Sequence, residues 1–297
     1  MIAAMEASAP DAERSIAGEL AELAREVWGA RELLAQLTLR DVRIRYTQAV
    51  MGFAWALLTP LLVLGAGSLV RYGMAYMTGT RLESATLLGL SVKALPWSFF
   101  VGSIGFAMAS LTANLELVTK VAFPRLVLPL SATLTQAFDT AIGAVALGAG
   151  IALFAWPGAS ILWAPLLVAL SFLLTCAAAV FLACANLFFR DVKHIVQVLL
   201  TFGIFFTPVF FEPQMLGARA ARLLMLNPLS PLLEGLRLCL VQGHDLARPL
   251  WIPDARGNPF EVWTPWYLVY ATTLSCGAFL ASCLWFRRLE HLFAEYV

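Results

Sequence analysis

The sequence predicts an all-α integral membrane protein with six transmembrane helices, an N-terminal amphipathic interfacial helix and re-entrant helices on the outer side. Three observations carry that reading. Six stretches are apolar and long enough to cross a bilayer, for which roughly 20 residues cover a hydrocarbon core of about 30 Å. Hydrophobic residues fill 60% of the 297 positions and charged residues only 13%, far from the balance of a soluble globular domain. Basic residues concentrate in the short segments that an even number of crossings places on one side, which sets both termini inside.

Residues 1–48 divide into a tail and an amphipathic stretch. Residues 1–15, rich in alanine and small polar groups, are expected to be poorly ordered. They lack the basic start and continuous apolar run of a signal peptide, so the segment is expected to remain attached. Further on, Leu20, Leu23 and Val27, then Leu34, Leu37 and Ile44, recur at helical intervals among charged neighbours. Arg40, Asp41, Arg43 and Arg45 follow, immediately before the first crossing. That pattern suits a helix on the inner surface with its arginines at the phosphate level of the membrane lipids. A juxtamembrane charge cluster that only fixes topology is the alternative.

The crossings are expected at about 49–70, 94–113, 126–156, 161–189, 195–211 and 263–286. The third contains one charge, Asp139, and the other five none. The third and fourth exceed the length of a perpendicular crossing and should tilt. The fifth is the shortest, and Pro208 near its end predicts a kink or an early stop. A carboxylate within a span costs roughly 2.5 to 3.5 kcal/mol, so Asp139 should face protein or water, either lining a path or holding a neighbouring helix. Lys93 lies close enough to the outer boundary to snorkel.

Several chemistries are excluded. None of the three lysines follows a glycine, so no Walker A phosphate loop is present and any ATP-driven work must be powered by another chain. Four of the five cysteines sit in proposed spans as small apolar packing residues, and the three histidines lie far apart in sequence. A metal site is not expected. His-Glu-x-x-His, Gly-x-Ser-x-Gly and Asp-x-Asp patterns are all absent, which makes catalysis within this chain the weaker hypothesis. The net charge of +1 says nothing further about partners, and no nucleic-acid partner is expected.

The polar breaks between spans are more informative. Asn114-Leu-Glu-Leu-Val-Thr-Lys-Val-Ala-Phe-Pro-Arg125 predicts a short inner helix capped by Asn114 and ended by Pro124. An ordinary hairpin connection would explain it equally if it stood alone. Arg40-Asp-Val-Arg-Ile-Arg-Tyr-Thr-Gln48 runs into Gly52-Phe-Ala-Trp-Ala-Leu-Leu-Thr-Pro60. The loop after the fourth crossing reads Asn186-Leu-Phe-Phe-Arg-Asp-Val-Lys-His194, and the tail reads Phe286-Arg-Arg-Leu-Glu290. Together with Lys120-Val-Ala-Phe-Pro-Arg-Leu-Val-Leu-Pro129 and Asn227-Pro-Leu-Ser-Pro231, these resemble, in order from about residue 37 to 290, the permease subunits of ABC-2 type polysaccharide exporters. That family moves O-antigen, capsule and teichoic-acid-like chains.

The resemblance implies a transport subunit rather than an enzyme, with residues 49–297 as the permease domain in a bacterial inner membrane. Two copies would form the path as a homodimer, and two copies of a cytoplasmic nucleotide-binding subunit would bind ATP and Mg and drive it. The substrate would be a lipid-linked glycan. Asn114, Glu116, Lys120, Phe123, Pro124 and Arg125 then resemble the family's coupling helix, and Arg190 and Asp191 its second inner contact. An exporter of a small hydrophobic compound or lipid is the runner-up, and a membrane-bound glycan-modifying enzyme the alternative of another class.

Between residues 212 and 262, short apolar helices interrupted by Asn227 and Pro228 suit a re-entrant hairpin, a surface helix in the outer headgroups being the alternative. In the resembling exporters this region is similar to a gate, and Glu234 and Arg237, three apart, can pair there. Phe202, Phe205, Phe206 and Phe210 cover more than one face of the fifth span. If that helix borders a path, their rings can stack on sugars; helix packing explains them equally well.

Overall fold

The computed structural model describes residues 16–47, 54–79, 84–121, 123–154, 158–253 and 259–293. The expectation for residues 1–15 therefore lies outside the described residues. The described chain is mostly helical. Helices α1 (Ile16–Gly29) and α2 (Arg31–Thr47) precede α3 (Ala54–Thr78) and α4 (Ser84–Ala113). The short α5 (Leu115–Lys120) connects α4 to α6 (Val127–Phe154), and a 3-10 turn (Gly158–Trp163) leads into α7 (Ala164–Phe188). After α8 (Val192–Gly203) come α9 (Gly217–Leu224), α10 (Leu229–Leu240), strands β1 (Leu250–Pro253) and β2 (Pro259–Trp263), and α11 (Trp266–Glu290).

Among the described residues, four helical segments are long and apolar enough to cross a membrane: α4, α6, α7 with its preceding turn, and α11. Within α3 and α8 the apolar helix is shorter, Leu61–Met77 and Val192–Gly203. The expected second span began ten residues late. α4 starts at Ser84, and Lys93, expected to snorkel at the boundary, lies within it, enclosed by protein. The fifth helix stops at Gly203, ahead of Pro208, and residues 204–211 continue as turns.

The mostly helical chain agrees with the all-α expectation, to which a single local hairpin is added: β1 and β2 pair antiparallel, with Pro253 opposite Pro259. Proline cannot donate to a ladder, which suits a terminal pair on a two-stranded edge. Trp263, read as the start of the last crossing, closes β2 instead, fully buried, its indole N–H donating to the Leu246 carbonyl at 3.0 Å.

α4 and α7 form the centre, with 56% of each apolar window buried, against 17% for α6 and 22% for α11. The outer helices therefore turn apolar side chains such as Val145 and Leu153 outward. A close approach joins α4 to α6: a Cβ on Gly102 would stand 2.7 Å from Gln136 Cδ, so a larger residue there would displace the Gln136 amide. Two cores mark the ends of the bundle. At one end Leu111, Val118, Leu126, Leu187, Phe286 and Phe293 pack beneath α1 and α5. At the other, Leu167, Leu232, Leu236, Leu246 and Trp263 pack α7 against α10 and the hairpin.

Candidate functional site

Buried charge marks the hairpin end. Glu234 and Arg237, one helical step apart on α10, bond through Arg237 Nε to Glu234 Oε1 at 3.0 Å, as their spacing predicts. Lys93 of α4 donates from Nζ to the Phe211 carbonyl at 2.6 Å and lies 3.8 Å from Glu234 Oε2. Lys93, Glu234 and Arg237 are all at most 3% exposed. Glu212 extends the cluster outward, 3.8 Å from Arg237 Nη1 and 3.6 Å from Arg71 Nη2 of α3. One network thus ties α3, α4 and α10 to the segment after α8. Lys93, Arg71 and Glu212 were not singled out as partners from the sequence. A lysine flanked by Val92 and Ala94 within an apolar run was the available signal.

Asn227 acts as the neighbouring clasp. Its Nδ2 donates to Thr207 Oγ1 at 2.9 Å and to the Phe206 carbonyl at 3.3 Å, while its Oδ1 accepts from Leu229 N at 3.1 Å. The side chain therefore fixes the turn after α8 to the start of α10, which follows Pro228. Further along, Asp245 accepts from Ala247 N at 3.1 Å and from Trp163 Nε1 at 3.0 Å. Those two donors, the backbone one foremost, hold its carboxyl below the usual carboxylate range.

Asp139 is 5% exposed and holds a neighbouring helix, one of the two roles open to it from the sequence. Its carboxylate accepts from Arg45 Nη1 and from the Tyr46 hydroxyl, both on α2. Arg45 also donates to Gln136 Oε1 at 3.2 Å and lies 4.0 Å from the Phe106 ring centroid, a cation–π distance. Burial, and then the bond to Asp139, push the Tyr46 phenol above its usual range. Arg45 therefore points into protein rather than to phosphate level, and α2 packs along α6. Arg40 pairs with Asp41 at 2.8 Å and reaches Asn114 Oδ1 at 3.4 Å, whereas Arg43 is exposed.

The predicted inner helix is present as α5 but is shorter than expected. It ends at Lys120, where Val121 turns extended, not at Pro124. Asn114 occupies the cap position without capping: its Nδ2 donates back to the Ser110 carbonyl at 2.8 Å. Glu116 and Lys120 pair at 3.5 Å, both far out in solvent at 87% and 71% side-chain exposure. Arg125 turns the other way. Its Nη1 donates to the Glu290 carbonyl at 2.6 Å and its Nε to the Val118 carbonyl at 3.2 Å, locking the α5 connection to the end of α11, while Phe123 is half-buried in the same core. Arg190 and Asp191 stand exposed in the turn between α7 and α8.

Among the described residues, α8 packs on the bundle through Val196 with Val192 and Leu200 beside it, and passes close to Trp97 at Gly203. Phe202, Phe205 and Phe206 are exposed, but Phe210 is half-buried, its ring filling the space where a Cβ on Gly67 would stand, 2.8 Å from Phe210 Cδ1.

This architecture, apolar helices around buried charge with a short exposed helix at one end, defines a multi-pass membrane protein. Residues 32–241 match the model of the ABC-2 type transporter family, and the chain belongs to that family. It is similar to the O-antigen export system permease protein RfbA of Myxococcus xanthus, 32% identical over 215 residues that cover 71% of this chain and 81% of the relative. Two Klebsiella pneumoniae proteins of the same name are 24% and 25% identical with the same coverage.

Proposed function

We propose that this chain is the membrane-spanning permease subunit of an ABC exporter that moves a polysaccharide across a bacterial inner membrane. The observation that carries the proposal is family membership over most of the chain, joined to relatives named for O-antigen export. In this reading the chain makes six crossings, α3 and α8 completing the four long segments, and both termini and α5 face the cytoplasm. Residues 212–262, with α9, α10 and the hairpin, form the re-entrant outer gate, in which Asn227, Pro228, Glu234 and Arg237 hold the gate shut.

Two copies form the path as a homodimer, because one copy leaves α8 exposed along most of its circumference. Two nucleotide-binding subunits carry ATP and Mg. Their grip is on Glu116 and Lys120, which project from α5, with Arg190 and Asp191 as the second contact. Arg125 and Phe123 transmit the push by fixing α5 to the bundle. The substrate travels as a lipid-linked glycan. Deleting the chain from its host tests the proposal: surface glycan should disappear while polymer accumulates inside, and the intact chain should restore export. Unchanged surface glycan would refute it.

A further inference from the structure

We infer that the flank of α8 bearing Lys193, Gln197 and Thr201 is the glycan-contacting surface of the path, and that the aromatic flank is its dry side. The inference rests on the export reading and reverses the expectation that phenylalanines meet the sugar. The three residues are spaced four apart, so they stack on one flank at steps of about 6 Å. All three are exposed. They border an open groove of about 470 Å³ whose other wall is α4, with Trp97, Gly105 and Met108. Ile195, Leu199 and Phe202 occupy the opposite flank, and each is more than half exposed.

This amphipathic division decides between the flanks. An amide facing acyl chains finds no hydrogen-bond partner, whereas aliphatic and aromatic side chains lose nothing there. Among the described residues the Lys193 ammonium and the Gln197 amide have no protein partner, while Thr201 donates to the Gln197 carbonyl at 2.8 Å and keeps its oxygen available to accept. Gln197 both donates and accepts, and Lys193 donates. That set complements a hydroxyl-rich polymer, whose groups also do both. No carboxylate lines the groove, so an acidic polymer meets no repulsion from it. Trp97 fixes the groove floor: a Cβ on Gly203 would stand 3.2 Å from its ring, so α8 rides directly over the indole.

The test uses the full chain in membrane vesicles with its ATPase partner. Gln197→Cys and Thr201→Cys are compared with Leu199→Cys and Phe202→Cys, using a positively charged, membrane-impermeant methanethiosulfonate. The first pair should react roughly tenfold faster than the second, since thiol reaction requires aqueous access. Modification of the first pair should also block export. Equal or reversed rates overturn the inference, as does protection of Gln197→Cys by disulfide formation with a second copy. In parallel, Gln197→Leu with Thr201→Val should abolish export, whereas Leu199→Ala with Phe202→Ala should retain it; the opposite pattern also overturns the inference. Failure of the export reading is distinguishable, because the unmodified parent would then export no glycan whatever the labelling pattern.

Discussion

Lys93 Nζ and Glu234 Oε2 lie 3.8 Å apart, one on α4 and the other on α10, with 1% and 0% of their side chains exposed. Each charge is out of reach of water, so each depends on the other and on Arg237 and the Phe211 carbonyl. Removing one member leaves the rest uncompensated, a loss of about 3 to 5 kcal/mol for a buried pair. Glu234→Gln should therefore lower the thermal midpoint of the purified protein sharply. Adding Lys93→Met and Arg237→Met to Glu234→Met should recover much of that loss. A Glu234→Gln midpoint equal to the parent's would show that the network does not hold α10.

Asp139 holds α2 through Arg45 and Tyr46. Asp139→Asn keeps the shape but removes the charge facing Arg45, which is partly solvated, so a cost of about 1 to 3 kcal/mol is expected. Limited proteolysis should cut α1 and α2 faster in this variant while α6 and α7 stay protected. Unchanged cleavage would place the anchoring of α2 elsewhere.

Glu116→Lys or Lys120→Glu should leave stability within about 0.5 kcal/mol of the parent, because the pair is exposed. Both should lower export and uncouple ATP hydrolysis in the partner. Normal export with normal partner affinity would assign the contact to Arg190 and Asp191.

The Asp245 carboxyl, held below its usual range by the Ala247 N–H and the Trp163 indole, contributes stability that is complete above the unfolded carboxylate pKa of about 3.9. That contribution is lost as the pH falls through the lowered folded value. Asp245→Asn should therefore differ most from the parent at neutral pH and converge with it in acid, measured as thermal midpoint against pH. A difference that grows on acidification would contradict the assignment.

The long helices were legible because lipid solvation imposes one rule, a continuous apolar run, and α6, α7 and α11 obey it. The same rule misplaced the start of α4. Hydropathy treats Lys93 as a boundary charge and cannot see that Phe211, 118 positions away, supplies a carbonyl. The cost of burying Asp139 was readable, but its partner Arg45, 94 positions earlier, was not. Glu234 and Arg237 were legible as a pair because their partnership is local. The short inner helix α5 was legible in position and not in extent: Arg125, grouped with Glu116 and Lys120 by proximity in sequence, points into the bundle. The hairpin was missed because Trp263 opens the uncharged apolar run to Phe286, which reads as a crossing from its first residue.

In the export reading, this chain provides the path and another chain the power. The most direct measurement reconstitutes it in proteoliposomes with its nucleotide-binding subunit and host glycan, and follows arrival of glycan in the lumen with ATP outside. The account predicts transport that requires both chains and hydrolysable ATP, and that stops when the Walker A lysine of the partner is replaced. Transport by this chain alone, or transport unaffected by loss of hydrolysis, would contradict it.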